Sequence, residues 1–360
     1  MLTCGLVGLP GSGKSTLFAL LAGPGGEPPP GRAGVARRVV AVPDPRLDLL
    51  AADFAPRKPV HTQLEVLDVP GLVPGERART LHFLEAVRGS DALIFVLRGF
   101  AAGPAAPNPA GELDTLEAEL ILTDLAVVER NIERLEGRRT GSVRRQDAPL
   151  HAVLCRVRDR LADGAPYREV ALREEERALL AHFDFLSGKP AVWVLNVAED
   201  QLETAAERSG LVALADRRGV PLVTVSAQVE KEIAELPEDD AALFMADLGL
   251  DEPGSARVIR AVHQRLGLIS FFTVGDREVR AWTIRAGTRA REAAGKVHSD
   301  MERGFIRAEV LAFADYAQVR TDAGGGDRAM AAARDKGLVR LEGADYRVED
   351  GDIIHYRFNV

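Results

Sequence analysis

The stretch Gly8-Leu9-Pro10-Gly11-Ser12-Gly13-Lys14-Ser15 limits how this 360-residue chain can fold more than any other. It fits the pattern G-x-x-x-x-G-K-[ST], and its surroundings fit too. The apolar run "LTCGLVGL" before it reads as a buried strand, and "STLFALLAG" after it switches to helical periodicity. A glycine-rich turn between strand and helix lets backbone N–H groups converge on an anion, and the helix N-terminus adds its positive dipole end. Such a loop places Lys14 for the β- and γ-phosphates of a nucleotide and the Ser15 hydroxyl for Mg²⁺. Gly8, Pro10, Gly11, Ser12, Gly13 and Thr16 complete the candidate cradle. The competing reading is a strand–helix turn that binds nothing.

Two further motifs follow buried runs. In "QLEVLDVPG", Asp68 has the place of a residue that reaches Mg²⁺ through water, and Gly71 the place of an N–H that senses the terminal phosphate. In "PAVWVLNVAED", the strand ends at Asn196-Val197-Ala198-Glu199. Guanine-nucleotide switch proteins carry Asn-Lys-x-Asp there, and the Asp carboxylate accepts two hydrogen bonds from the base. Glu199 stands where that Asp would be, and Asp200 comes one residue late. Ser226 and Ala227, in "VSAQ" after another buried run, are candidates for the loop behind the base. Taken without the phosphate loop, Asn196 reads first as an ordinary helix-starting residue at a strand end.

Composition narrows the class. The chain is 46% hydrophobic and 28% charged with a formal charge of −8, which argues against a generally basic nucleic-acid binder but leaves room for local patches. Two cysteines, Cys4 and Cys155, support neither a disulfide framework nor a cysteine zinc site. The start lacks a signal-peptide h-region and no apolar run reaches membrane-spanning length, so the expected location is the cytoplasm, without membrane or DNA as partner.

After a Pro/Gly-rich stretch at 23–34, the pattern predicts a long amphipathic helix through Leu113, Leu116, Leu120, Val127 and Leu135, a second over 150–163 and a third near 169–183. "PAVWVLNV" and "GVPLVTVSA" then restore the strand pattern, so the helices read as an insertion in one α/β domain. From about Phe271, strand-like runs alternate with one helix around 289–303, a small α+β domain. The expected organisation is a nucleotide-binding part at 1–112 and 189–275, an inserted helical part at 113–188 and a C-terminal part at 276–360.

These motifs, their order and the helical insertion resemble the YchF/Obg-like ATPase family of P-loop proteins. Further resemblance lies in "VPDPRLDLLA" (42–51), "EKEIAELP" (230–237), "DLGLDEPGSARVIRA" (247–261), "HSDMERGFIRAEV" (298–310) and "DGDIIHYRFNV" (350–360). The resemblance implies a P-loop NTPase domain with an inserted helical hairpin and a C-terminal TGS-like, β-grasp domain. It also implies association with ribosomes or their RNA, and a preference for ATP over GTP. The family replaces Asn-Lys-x-Asp with Asn-x-x-Glu, the form seen at Asn196 to Glu199. Guanine offers N1–H and a 2-amino group side by side, whereas adenine has an acceptor at N1 and no 2-amino group. The extra methylene of Glu199 moves its carboxylate out of the bidentate position, and Val197 lacks the Lys stem that covers the base.

The chain also departs from the family. No threonine lies between Gly23 and His61 to complete the Mg²⁺ shell from the first switch. The residue after Asp68-x-x-Gly71 is Leu72 where Ras-like enzymes orient water with Gln, and the family's proposed substitute histidine is missing from 98–111. The second switch, "LVPGERARTLHF", is short; its His82 reads as a helix-face residue. No residue is assigned as catalytic, so two readings stay open: an ATPase with slow intrinsic hydrolysis to ADP and phosphate, or a nucleotide-responsive ribosome- or RNA-binding module without useful turnover. A small-molecule kinase fits poorly, lacking a lid and an acceptor site. Arg134, Arg138, Arg139, Arg144 and Arg145 surround the hairpin turn and are as consistent with a solvated tip as with an RNA contact. His298 is read as packing or as an approach to RNA, and the oligomeric state is left open.

Overall fold

The apolar runs that read as buried strands lie side by side in one sheet. With strands numbered in chain order, β1 is Thr3–Val7, β2 Ala36–Ala41, β4 Gln63–Asp68, β5 Ala92–Arg98, β6 Ala191–Asn196 and β7 Leu222–Val225; β3, Lys58–Val60, belongs to a second sheet. The computed structural model describes residues 2–23, 35–55, 58–73, 77–102, 106–137, 144–275 and 277–359. The first sheet runs β2-β4-β1-β5-β6-β7, and β1 pairs in parallel with β4 and β5, as β6 does with β5 and β7. Parallel strands are covered on both faces and so are apolar throughout instead of alternating. Every residue of β6 is accordingly buried. The register sets Leu6 beside Asp68, Val7 beside Phe95, Arg98 beside Asn196 and Asn196 beside Val225. The loops after these strands therefore open together on the carboxyl edge, where α/β sheets place ligands.

The long helix is Pro109–Glu136. Asn108 caps it by accepting from the Gly111 N–H at 3.1 Å, and Pro109 occupies the first turn, where its missing donor costs nothing. Leu113, Leu116 and Leu120 pack in the same core as Phe95 and Trp193 under the sheet. Farther along, Val128 and Ile132 pack with Val153, Leu154 and Val157 of the return helix Ala148–Ala162. Two buried carboxylates fasten this arm. Asp124 accepts from the N–H groups of Leu186 (2.8 Å) and Ser187 (2.7 Å) and from the Ser187 hydroxyl (2.6 Å). Glu117 is shared by Arg168 and Arg218. The helical part expected at 113–188 is thus continuous with the sheet's core and is not a compact unit of its own. Periodicity shows that a helix has an apolar face, not what that face meets. The third expected helix shortens to Glu174–Leu180 between brief 3₁₀ turns.

The chain divides into two compact units, Met1–Val40 with Glu65–Val262, and Ala41–Leu64 with His263–Val360. The second carries the sheet β11-β10-β12-β8-β9-β3, in which β8 is Leu268–Thr273, β9 Glu278–Arg285, β10 Phe305–Ala312, β11 Arg340–Glu342 and β12 Asp352–Phe358. Residues 41–64 are the larger departure from the expected boundaries, which gave them to the nucleotide-binding part. β3 pairs in parallel with β9, matching Lys58–Val60 to Glu278–Arg280. Leu47 and Leu50 of the helix Pro45–Phe54 are fully buried with Phe272, Val279 and Tyr316. A ten-residue amphipathic helix looks the same in sequence whichever sheet it covers. The helix expected over 289–303 is two, Ala290–Val297 and Ser299–Arg303, separated by His298 in extended backbone; its exposed ring accepts from the Asp300 N–H at 3.2 Å. The helices Phe313–Ala323 and Asp327–Asp335 were not anticipated.

Asp53 holds the 41–64 segment in the second unit. It accepts from Arg320 Nε (2.5 Å) and Nη2 (2.7 Å) and from the Tyr316 hydroxyl (2.9 Å). The Arg320 hydrogen bond holds the Asp53 carboxyl below the usual carboxylate range. A carboxyl with a depressed folded-state pKa stabilises above its unfolded value and loses that contribution as pH falls through the folded value. Asp53→Asn is therefore expected to lower the melting temperature of the second unit by several degrees at pH 7. The difference between variant and parent should shrink on acidification below the ordinary carboxylate range. An equal deficit at both pH values would show that charge on Asp53 contributes nothing.

Candidate nucleotide-binding site

The turn after β1 is built on left-handed glycines. Gly11 and Gly13 have φ of 80° and 82°, a region that other residues enter only under strain. A side chain on Gly13 would also bring its Cβ 2.1 Å from Asn196 Nδ2, so the position admits only hydrogen. The helix Lys14–Ala22 starts there. Gly8 O accepts from the Leu72 N–H at 3.3 Å and Leu9 O from the Ser12 N–H at 3.2 Å, which links the turn to the segment after β4. Ser12 is 1% exposed, and its hydroxyl has no hydrogen-bond partner among the described residues.

Asp68, at the end of β4, meets both groups assigned to phosphate and metal. Its Oδ1 pairs with Lys14 Nζ, and its Oδ2 accepts from the Ser15 hydroxyl at 3.0 Å. Fifty-three residues separate Ser15 from Asp68 in sequence, and the parallel β1–β4 pairing brings them together. Lys14 is only 8% exposed, because Asp68 covers its ammonium. Among the described residues no cluster of three His, Cys, Asp or Glu side chains could hold a metal. Ser15 and Asp68, the two candidate Mg²⁺ ligands of the sequence, stand in hydrogen-bond contact here. A Cβ on Gly71 would lie 3.5 Å from Gly8 O and 3.6 Å from Pro10 N, so this glycine passes close to the turn. Leu72 is fully buried in the core with Val7 and Phe83, turned away from polar chemistry.

On the other side, Asn196 is 4% exposed and fastens two loops. Its Nδ2 donates to Ser12 O at 3.0 Å and its Oδ1 accepts from the Ala227 N–H at 3.1 Å. Val197 is buried in the core, and its N–H donates to Val225 O at 2.9 Å, so only backbone is offered at this position. Ser226 and Ala227 are likewise buried. Glu199 is exposed at the start of the turn Glu199–Gln201, and Asp200 beside it is exposed too. Pro10 and Ser15 are exposed, and Thr16 half-buried.

Phe100 was missed from the sequence. Its half-buried ring comes within 3.7 Å of where a Cβ on Gly13 would sit, next to Asn196. The available signal was a single aromatic in the Ala/Gly/Pro-rich loop after β5. Arg98, at the head of that loop, is committed to Glu112, donating to it from its backbone N–H (2.9 Å) and its Nε (3.2 Å). Cys4 is core, and burial pushes its thiol up to about 12. Arg138, Arg139, residues 24–34 and 74–76 and the His82 side chain lie outside the described residues, while Arg144 and Arg145 are exposed. No helix of the described residues is long and apolar enough to cross a membrane.

Comparison with known proteins fits this arrangement. The 50S ribosome-binding GTPase family model matches residues 3–130, and the YchF-GTPase_C model residues 268–359. A protein of Pasteurella multocida (strain Pm70), "Ribosome-binding ATPase YchF", is 40% identical over 370 residues, covering 99% of each chain. The chain belongs to the YchF family. A YchF relative of the same name from Bacillus subtilis (strain 168) is 37% identical over 374 residues, covering all of both chains. The solved structure of the Schizosaccharomyces pombe YchF GTPase matches with a TM-score of 0.83 at 26% identity, over 99% of this chain and 97% of that one. Membership in the YchF family thus extends from the phosphate loop to β12, as the resemblance in the sequence implied.

Proposed function

We propose that this protein binds ATP with Mg²⁺ in preference to GTP, associates with ribosomes and hydrolyses ATP slowly by itself. The observation that carries the reading is the meeting of Lys14, Ser15 and Asp68 beside the glycine turn and Asn196. Relatives covering the whole chain carry the name "Ribosome-binding ATPase YchF", which supports both the nucleotide and the partner. Gly8, Pro10, Gly11, Ser12, Gly13 and Thr16 would surround the phosphates, with the backbone N–H groups at the helix N-terminus facing them. Lys14 would exchange Asp68 for the β- and γ-phosphates, freeing that carboxylate to hold Mg²⁺ together with Ser15. Bound Mg²⁺ supplies charge neutralisation across the phosphate oxygens. Asn196, Glu199 and the backbone at Val197, Ser226 and Ala227 would frame the base, with Phe100 against it.

Direct titration of ATP, GTP and their diphosphates tests the base preference, and equal affinity for adenine and guanine forms would overturn it. Exposure of Glu199 makes it open to exchange without disturbing the core. Glu199→Asp should move the preference toward guanine by about tenfold or more, since one bidentate pair discriminates by ~1–3 kcal/mol. Co-sedimentation with ribosomes in ATP and in ADP tests the partner; absence from the ribosomal pellet in both would remove it from the reading.

A further inference from the structure

Three helices of the first unit end at one cleft of about 750 Å³. The last turn of Lys14–Ala22 gives it Leu20, that of Ala227–Ala234 gives Ile233, and that of Glu238–Asp247 gives Met245. Leu250 and Pro253 continue the apolar wall. The volume and the lining are those of a small-molecule site, apolar with a few polar groups. Lys14 and Ala227, assigned to phosphate and base, stand at the opposite ends of the first two helices.

The charged groups of the wall are of one sign. Glu230 and Asp251 line the cleft, and among the described residues no Lys, Arg or His does. Asp251 is exposed, whereas Glu230 is 4% exposed. Glu230 Oε2 accepts from the Ser255 N–H at 3.1 Å, at the start of the helix Gly254–Arg265. Its Oε1 has no hydrogen-bond partner among the described residues. Burial raises the Glu230 carboxyl above its ordinary range. Arg257, whose charge opposes that rise, donates to Thr224 O at 3.0 Å and lines no part of the cleft. Helix C-termini carry the negative end of the dipole, so the three last turns act in the same sense as the carboxylates. An anion is repelled from such a wall. A purely apolar ligand would cover carboxylates without pairing them, which is unfavourable. An ammonium offers three donors and the opposite charge.

We propose that this cleft binds a small organic cation, a ligand with an apolar body and one ammonium group. The body fills the space between Leu20, Ile233, Met245 and Leu250, and the ammonium lies toward Asp251 and Glu230.

The test is calorimetric titration of the full-length protein with 1-naphthylmethylammonium, neutral 1-naphthylmethanol and anionic 1-naphthoate, which share one apolar body. The ammonium should bind about tenfold or more tighter than the alcohol, the usual scale for a contact with a charged partner, and the carboxylate should bind weakest. Asp251→Asn with Glu230→Gln, which keeps an acceptor for Ser255, should bring the ammonium down to the affinity of the alcohol. Ala241→Trp and, separately, Ala246→Trp place a ring in the cleft and should weaken ammonium and alcohol alike. Circular dichroism establishes that each variant is folded. Ala246 is exposed, so its variant leaves the core intact and carries the test if Ala241→Trp does not fold. Equal affinity for ammonium and alcohol, tighter binding of naphthoate, or no binding of the ammonium at millimolar concentration would overturn the proposal. So would ammonium binding that is unchanged in the folded cleft-filling variants, which would place the ligand elsewhere.

Discussion

Lys14→Ala is expected to lower affinity for ATP by about 2–5 kcal/mol, the range for removing one partner of a desolvated charge pair, which is about 30- to several-thousand-fold. The triphosphate loses the ammonium that would leave Asp68 for its β- and γ-phosphates. The apo variant should melt at a lower temperature than the parent, because Lys14 is mostly buried against Asp68. Circular dichroism at the assay temperature establishes that it is folded, and calorimetric titration at fixed free Mg²⁺ reads the affinity. Unchanged ATP affinity in the folded variant would mean that the loop is not the phosphate site.

Hydrolysis by the protein alone should be on the order of 10⁻³ s⁻¹ or slower, the range of unaided switch GTPases. Phosphoryl transfer needs held Mg²⁺, positive charge at the γ-phosphate and an oriented water. Ser15, Asp68 and Lys14 can supply the first two. Leu72, in the place of a water-orienting Gln, is fully buried and has no group to offer. Residues 98–111 contain no histidine, and the sequence has no first-switch threonine between Gly23 and His61. Each missing electrostatic contributor commonly costs ~10²–10³-fold. A ribosomal group inserted in trans would restore the rate as an arginine finger does, so addition of ribosomes should accelerate phosphate release. Turnover near ~1 s⁻¹ by the protein alone, far above the unaided range and abolished in Lys14→Ala, would mean that the site holds a catalytic group the residues named above do not include.

Legibility in the sequence followed the range of the forces involved. The phosphate loop could be read directly because its geometry is local: a strand, a turn that tolerates only glycine at Gly11 and Gly13, and a helix. Asp68 and Asn196 were recognisable because each closes a buried strand. Their contacts were not, since Lys14–Asp68 and Asn196–Ser12 depend on which strands neighbour β1. Val197 shows the limit from the other side. Its place in the motif made it a candidate beside the base, without the Lys stem that would cover one, and just after β6 its side chain enters the core.

By itself, then, the sequence determined the elements set by composition and short spacing: the central parallel strands as apolar runs, the long helix through Leu113, Leu116 and Leu120, and the phosphate loop with its Lys and Ser; that the helix begins at Asn108 and Pro109 emerged only from the structure. Tertiary structure alone decided what those elements pack against. Leu113, Leu116 and Leu120 join the sheet's core while Val128 and Ile132 of the same helix serve the hairpin, and residues 41–64 leave one sheet to complete another. An amphipathic face specifies only that it must be buried. Its partner is chosen by the burial that all other elements leave available, together with specific anchors such as Asp53 on Arg320, and no local pattern encodes that choice.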